Sequence, residues 1–194
     1  MTTGRPPVVT VHGTAISGCV ELRMRPLYDS RGHFLKTYHE GAFQSLGLCT
    51  RWREEFITSS ARGVIRGMHF QLPPEQHIKL VICLTGRVVD VALDLRVDSP
   101  TYGRCTSVEL SRDRANALYI PEGFAHGFQA LEDGSSLLYK VSSMHSPAHD
   151  MGLRWDSIDF DWPLSPSIVS TRDASFDGLR DFQSPFRSRT NRDV

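Results

Sequence analysis

The segment from residue 79 to residue 96 is the most regular part of the sequence, and it constrains the fold most strongly. Two runs rich in β-branched residues flank Thr85 and Gly86, and in the second run apolar and polar side chains alternate. Such alternation is typical of a strand with one face against a core, and a glycine between two such runs favours a tight turn. The segment therefore predicts a pair of strands joined by a turn.

Further short strand patterns are spread along the chain, separated by clusters of Gly, Pro, Asp and Ser. They lie at residues 8–11, 20–22, 34–37, 107–110, 117–120 and 137–141. Only residues 40–48 and the region 174–181 have helical patterns. Many short strands predict a sandwich or barrel in which helix is a minor component. A length of 194 residues suits one domain, with frayed ends at about residues 1–7 and 187–194.

Composition argues against several classes of partner. Lys and Arg total 22, as do Asp and Glu, so no overall basic field favours nucleic acid or an anionic membrane surface. The apolar run before Thr85 is far shorter than the ~18 residues of a membrane span. The four cysteines, at positions 19, 49, 83 and 105, form no C-x-x-C pair, and no hydrophobic leader follows Met1. We therefore expect reduced thiols in a cytoplasmic protein.

Ionisable residues interrupt the apolar pattern in three segments that also contain glycine or proline: residues 63–71, 79–94 and 121–128. The inward side chains of a small barrel line a cavity, so these Arg, Lys, His and Asp residues would converge on a charged ligand. The alternative for each charge taken alone is an outward position in solvent.

Two of these segments carry motifs that resemble those of the cupin superfamily: G-x5-H at 63–69 and P-x-G-x-x-H at 121–126. The resemblance implies a mainly β fold, a double-stranded β-helix or jelly-roll barrel with few short helices. Metal-binding cupins have a second histidine and a glutamate after the first motif, where this chain has Gln71 and Glu75. A metal centre of Glu75 and the two motif histidines is one alternative, but the incomplete ligand set favours an enzyme without a metal.

A more extensive resemblance covers the chain from about Val20 to Asp173. It rests on D-x-R-G-x-F (29–34), R-G-V-I-R-G-M-H-F-Q (62–71), K-L-V (79–81), D-V-A-L-D-L-R (90–96), S-P-T-Y-G (99–103), I-P-E-G-F-A-H-G-F (120–128), Y-K (139–140), G-L-R-W-D (152–156) and D-W-P (161–163). With these motifs the chain resembles the dTDP-4-dehydrorhamnose 3,5-epimerase family. The resemblance implies an isomerase of deoxysugar and polysaccharide biosynthesis that inverts C3, C5 or both in a nucleoside-diphosphate 4-keto sugar, with no cofactor.

The family's chemistry assigns catalytic roles by resemblance. His69 matches the base that removes a proton beside the ketone, and Asp173 matches the carboxylate that pairs with this base. Tyr139 matches the acid that returns a proton from the opposite face of the ring. Lys79 matches a lysine beside the keto oxygen, where its charge would stabilise the enolate. Asp90, on the same predicted strand pair, is expected to orient Lys79.

Binding roles also follow from the resemblance. Arg66 and Arg31 match residues that meet the diphosphate, a group suited to guanidinium forks. His126 is expected to contact the sugar or phosphate, and Gln71 to belong to the same substrate site. His145 stands where most family members have a second tyrosine that shapes the sugar site. A single-centre 3- or 5-epimerase is therefore an alternative.

Family members are homodimers whose N-terminal segment completes the neighbour's nucleotide site, so Arg31, Phe34 and Lys36 would serve the other subunit. Thymidine-specific members hold the base with Glu, Gln and Asn, where this chain has Lys36, Glu54 and Phe56. A carboxylate accepts hydrogen bonds from the amino group of cytosine. A CDP- or GDP-linked sugar is therefore an alternative to a dTDP-linked one.

A further alternative is a catalytically silent sugar-binding module. Such a module would tolerate the loss of His69 or Tyr139, and this chain has both. The sequence therefore favours an enzyme.

Overall fold

A computed structural model of the 194-residue chain describes residues 7–188, and the outer parts of the predicted frayed ends, 1–6 and 189–194, lie outside this range. The described part consists almost entirely of short strands. They are β1 (Val9–Gly13), β2 (Val20–Met24), β3 (Leu27–Asp29), β4 (Gly32–Phe34), β5 (Glu54–Ser60), β6 (Ile65–Gln71), β7 (Lys79–Thr85), β8 (Arg87–Asp94), β9 (Cys105–Ser111), β10 (Asn116–Ile120), β11 (Phe124–Ala130), β12 (Ser135–Val141) and β13 (Asp150–Gly152). The helices are α1 (Glu40–Ser45), α2 (Thr171–Ala174) and a 3-10 turn at Leu179–Asp181.

Two antiparallel sheets face each other across a common core. One has the strand order β1-β2-β10-β7-β12-β5, and the other has the order β13-β6-β11-β8-β9. Strands β3 and β4 pair only with each other, as a separate hairpin. The architecture is the predicted jelly-roll barrel of the cupin type.

Alternation along each strand decides which side chains enter the barrel. In β12 every second residue is buried, and Leu137 and Tyr139 belong to the core between the sheets. In β7 the inward side chains include Val81 and Cys83, whereas Leu80 faces a cluster on the outside of the same sheet. Successive side chains of a strand point to opposite faces, so a polar residue two places from an inward apolar one also points inward.

The outer faces of both sheets are covered as well. Helix α1 places Phe43 in the cluster on the outside of the six-stranded sheet. Apolar residues from the C-terminal segment, including Leu153, Ile158 and Phe186, pack on the outside of the five-stranded sheet. This cover explains why β8 is buried at seven consecutive positions, with both of its faces against apolar residues.

Most sequence predictions of strands are confirmed, including those within β1, β2, β9, β10 and β12. The predicted strand at 34–37 is wrong, because β4 ends at Phe34. The predicted helix at 40–48 is shorter, and the helical region 174–181 contains only the last residue of α2 and the 3-10 turn. Five strands were not predicted: the three-residue β3 and β13, β5, whose residues are mostly exposed, and the glycine-containing β6 and β11.

The predicted strand pair at 79–96 is half correct. Both strands exist and Gly86 lies in a left-handed turn between them, with φ at +71°. However, β7 and β8 belong to different sheets, and the chain crosses the core at this turn. A Cβ at Gly86 would lie 2.9 Å from the Ser135 Cα, so both the turn and the packing require glycine.

Candidate active site

A cavity of about 370 Å³ opens between the two sheets. It lies at the end of the barrel where inward positions are polar, beyond apolar core residues such as Leu118 and Leu137. Its wall consists of Glu54, Phe56, Thr58, Arg66, His69, Phe70, Gln71, His77, Lys79, His126, Phe128, Tyr139, Val141, His145, Asp150 and Arg172. Nine of the predicted site residues are in this wall.

His69 and Asp173 form a hydrogen-bonded pair at the cavity. Nε2 of His69 lies 2.8 Å from Oδ1 of Asp173, and the backbone N–H of Gly67 donates to Oδ2 at 3.1 Å. The side chain of Ser170 caps α2 and fixes the Asp173 backbone. Burial acts to raise the pKa of Asp173, but the hydrogen bonds from His69 and Gly67 outweigh it and lower that pKa. The carboxylate therefore stays charged, and Nδ1 of His69 is the ring nitrogen left for a ligand.

Tyr139 lines the cavity from the opposite sheet. It lies on β12 of the six-stranded sheet, whereas His69 lies on β6 of the five-stranded sheet. Its ring stacks on Phe56 with centroids 4.7 Å apart. Burial, and then the charge of Asp90, raise the pKa of Tyr139. The phenol therefore remains protonated throughout the neutral pH range.

Lys79 is the first residue of β7, and its side chain is buried. Its Nζ donates to the backbone carbonyl of His69 at 3.0 Å, which links the two sheets at the cavity. Burial lowers the pKa of Lys79 to about 8, while Asp90 and Asp150 oppose this change. Among residues 7–188, its only hydrogen-bond partner is that carbonyl. A buried cation of this kind, with a depressed pKa, is poised to meet developing negative charge.

A second histidine and carboxylate pair lies deeper in the barrel. Nε2 of His126 lies 2.7 Å from Oδ1 of Asp90, and both residues are almost fully buried. Burial lowers the pKa of His126, although Asp90 acts in the opposite direction. Asp90 was expected to orient Lys79, but its hydrogen bond goes to His126 because the two predicted partner strands lie in different sheets.

Glu54, Phe56 and His145 line one side of the cavity, as their predicted role requires. Oε2 of Glu54 accepts the backbone N–H of His145 at 2.8 Å, so this carboxylate also fixes the loop after β12. Gln71 is buried and its side chain holds the same loop, with Oε1 accepting the Ser146 N–H at 2.7 Å. Gln71 therefore shapes the cavity wall through its amide.

Two arginines face the cavity. Arg66 donates to Ser60 Oγ and to the Ser59 carbonyl, and its exposed side chain remains accessible. Arg172 pairs with Asp150 at 2.7 Å. Neither Arg172 nor His77 was predicted as a site residue, although Arg172 precedes Asp173 and His77 lies two places before Lys79.

Arg31, Phe34 and Lys36 do not line the cavity of their own chain. Arg31 and Phe34 belong to the β3–β4 hairpin, and Arg31 forms an ion pair with Asp29. Phe34 is 59% exposed and Tyr28 of the same hairpin is 74% exposed. The hairpin thus carries large apolar side chains that its own chain leaves uncovered.

Comparison with known proteins identifies the family of this chain. The sequence profile of the family described as dTDP-4-dehydrorhamnose 3,5-epimerase matches residues 13–181. The chain belongs to this family. The enzyme of that name from Methanothermobacter thermautotrophicus is 40% identical over 173 residues, which cover 87% of this chain and 93% of the relative.

Other members extend the comparison. The dTDP-4-dehydrorhamnose 3-epimerase of Streptomyces niveus is 37% identical over 161 residues, covering 81% of this chain and 78% of the relative. The crystal structure of the Legionella pneumophila dTDP-6-deoxy-D-glucose-3,5-epimerase, in complex with dTDP-4-keto-L-rhamnose, matches with a TM-score of 0.89 and 29% identity. It covers 93% of this chain and 100% of that one. The family thus includes enzymes named for one centre and for two, and the chain is an isomerase of this group.

The metal-dependent alternative finds little support in the geometry of the donors. Within residues 7–188, no three His, Cys, Asp or Glu side chains are arranged to hold a metal ion. Glu75 does not line the cavity, and its backbone carbonyl binds Gln71 and Ser143. His69 and His126 are each committed to a carboxylate.

No helix within the described part of the chain is long and apolar enough to cross a membrane.

Proposed function

We propose that this protein epimerises a nucleoside-diphosphate 4-keto-6-deoxyhexose at C3, C5 or both. The observation that carries the proposal is the arrangement of His69 and Tyr139, which reach one cavity from opposite sheets. Inversion of a carbon next to a ketone needs a base on one face of the sugar ring and a proton donor on the other. The membership of the chain in an epimerase family supports the same reaction.

The first step is removal of the proton beside the keto group by Nδ1 of His69. The C–H electron pair moves into the ring to form the enolate, and the imidazole becomes a cation. Asp173 stabilises this cation through Nε2, which it contacts at 2.8 Å. The buried carboxylate also holds the ring in one orientation.

Lys79 stabilises the enolate oxygen. With its pKa lowered to about 8, the ammonium is still mostly protonated at neutral pH, yet it has been removed from bulk water. A fixed cation at such a site is worth more to an oxyanion than one in solvent, because it needs no reorganisation as charge develops.

Tyr139 then donates its proton to the opposite face of the same carbon. Its raised pKa keeps the donor form populated. The enolate carbon takes the phenol proton, the ketone is restored, and Tyr139 is left as a phenolate. His69 and Tyr139 recover their starting protonation states by exchange with solvent. Phe56, stacked on Tyr139, restrains the ring in position for this step.

The nucleotide end of the substrate is bound in two parts. Arg66 meets the diphosphate from this chain, since its guanidinium borders the cavity. In a homodimer, the β3–β4 hairpin of the partner subunit and the segment after it bring Arg31, Phe34 and Lys36 to the same end. The exposed apolar side chains of the hairpin support this assembly, because such patches mark interaction surfaces.

The base bound by this chain is the least constrained feature. The relatives named above act on dTDP sugars, but Glu54 adds a carboxylate to the cavity wall, and one of its oxygens is already used by His145. Its other oxygen is free to accept a hydrogen bond from the amino group of cytosine or guanine. A CDP- or GDP-linked sugar is therefore the second candidate. Calorimetry of dTDP, CDP and GDP binding, measured side by side, decides between the two candidates. A clear preference for dTDP would exclude the CDP- or GDP-linked sugar.

Deuterium exchange tests the reaction itself. With a 4-keto-6-deoxyhexose nucleotide in deuterated water, the wild-type protein should incorporate deuterium at C3, C5 or both, which NMR counts separately. His69→Ala should abolish exchange while nucleotide binding stays intact. Exchange that persists in His69→Ala would contradict the assignment of the base. One deuteron per sugar would identify a single-centre epimerase.

All four cysteines are free thiols in the structure. Reduced cysteines fit the cytoplasm, where thiols are kept reduced, and we assign the enzyme to that compartment.

A further inference from the structure

Phe176 lies just after helix α2 and has no part in the reaction described above. Its half-buried ring packs edge-to-face with the imidazole of His69, with centroids 5.9 Å apart and 75° between the planes. The guanidinium carbon of Arg172 lies over the same ring, 5.2 Å from its centroid. Phe176 does not line the cavity itself, so any effect on the substrate passes through these neighbours.

Gly152 leaves the space that the Phe176 ring fills. It is the last residue of β13 and pairs with His69 of β6. A Cβ at Gly152 would lie 2.2 Å from Cε2 of Phe176 and 2.6 Å from Cζ. The backbone of Gly152 belongs to a strand and is not left-handed, so this glycine is required by space and not by conformation. The contact explains the glycine of the G-L-R-W-D motif.

Arg172 holds the ring from helix α2. A cation over an aromatic face is attracted by the electrons of the ring. The guanidinium is itself held by an ion pair with Asp150 at 2.7 Å, and Asp150 begins the strand that ends at Gly152. The Phe176 ring is therefore fixed between strand β13 and the helix that carries Asp173.

The hydrogen bond between His69 and Asp173 does not by itself fix the plane of the imidazole. That bond is made by Nε2, whereas Nδ1 is the nitrogen assigned to proton removal. The torsion about Cβ–Cγ of a histidine has broad minima, and Nδ1 lies further from this rotation axis than Nε2 does. A small turn of the ring therefore keeps the bond to Asp173 but moves the basic nitrogen. The packing of Phe176 against the imidazole restricts this turn.

We propose that Phe176 is a positioning residue that keeps Nδ1 of His69 directed at the C–H bond of the substrate. The proposal rests on the proposed function, because it concerns the base of that reaction. Phe176 touches no reacting atom and acts through His69. A misplacement of a reacting group by about 1 Å lowers the rate by a factor on the order of 10². The residues that bind the nucleotide are different ones, so the effect should fall on kcat and not on KM.

The test measures kcat and KM for deuterium exchange into a 4-keto-6-deoxyglucose nucleotide, in the nucleotide form that calorimetry selects. Phe176→Ala should lower kcat about 10- to 100-fold and change KM by less than about twofold. Phe176→Leu keeps part of the apolar contact and should recover part of kcat. Phe160→Ala is the matched control, since Phe160 is also half-buried outside the five-stranded sheet but packs on Trp162, and it should keep the wild-type kcat.

The space at Gly152 gives a second, independent way to displace the ring. Gly152→Ala puts a methyl group where the Phe176 ring lies, so it should lower both kcat and the melting temperature. In the Phe176→Ala background the same change should lower the melting temperature much less, because the methyl group then has room. The double variant should nevertheless keep the low kcat of Phe176→Ala, which separates positioning of the base from loss of stability.

Three results would show that the inference is wrong while the proposed function stands. They are a wild-type kcat in Phe176→Ala, a loss of kcat in Phe160→Ala as large as that in Phe176→Ala, and a loss in Phe176→Ala that lies entirely in KM. If the wild-type protein exchanges no deuterium into any of these sugar nucleotides, the proposed function fails and the inference fails with it.

Discussion

The substitution Lys79→Met should make the protein more stable and less active. Lys79 is buried at 8% exposure, and its pKa lies at about 8 instead of 10.5. This difference corresponds to a penalty of about 3 kcal/mol for keeping the charged side chain in the folded state, at ~1.4 kcal/mol per pH unit. Loss of its hydrogen bond to the His69 carbonyl costs about 1 kcal/mol, which leaves a net gain of about 2 kcal/mol at pH 7.

The sign of the pH dependence follows from proton binding in the two states. Below pH 8, Lys79 is protonated in both the folded and the unfolded chain, and the penalty is complete. Between about pH 8 and 10.5, the unfolded chain binds the proton and the folded chain does not, so wild-type stability rises with pH through this contribution. The advantage of Lys79→Met should therefore shrink over this window and vanish or reverse above it.

Urea unfolding of both proteins at pH 7, 9 and 10.5, at one protein concentration, measures this difference. Subtraction at each pH cancels the titration of other groups, and Lys36→Met replaces an exposed lysine as the control for stability. The same variant should lose activity by a factor of about 10²–10³, as when a donor to an oxyanion is removed. A stability difference that does not change with pH, or a less stable variant at pH 7, would refute the reasoning.

Three further substitutions test the site and its support. Asp173→Asn should lower kcat by a factor on the order of 10²–10⁴ with nucleotide affinity retained in calorimetry, because His69 loses the charge that stabilises its cation; unchanged kcat would contradict the pairing. Tyr139→Phe should still exchange deuterium through His69 but form little inverted sugar by NMR, whereas normal inversion would show another donor. Gly67→Ala puts a Cβ 2.4 Å from the Gly127 Cα at a φ of +139°. Urea unfolding should therefore give a free energy of unfolding lower by more than ~3 kcal/mol. A variant of wild-type stability would be inconsistent with this packing.

Alternation of apolar and polar residues along the sequence predicts several of the strands. It succeeded for β12, in which buried and half-buried residues alternate. It failed for β5, because this edge strand is mostly exposed and charged at its start. It failed for β11 because a strand buried on both faces has no alternation to detect.

The site residues, like the strands, were predicted only in part from local sequence patterns. Sequence motifs identified His69, Lys79 and Tyr139, and the family resemblance supplied Asp173 and the roles of all four residues. Nothing local to the sequence distinguishes Asp173 from a surface carboxylate, since its partner lies 104 residues away. The N-cap Ser170 and helix α2 position Asp173 beside His69.

The sequence by itself determined that polar side chains of strands such as β7 point into the barrel, because the period of a strand fixes which residues share a face. Only the tertiary structure decided which strands meet. Strands β7 and β8 look like a hairpin, yet they separate into two sheets, and Asp90 consequently binds His126 instead of Lys79. Pairing of this kind depends on burial summed over the whole core, which no short segment contains.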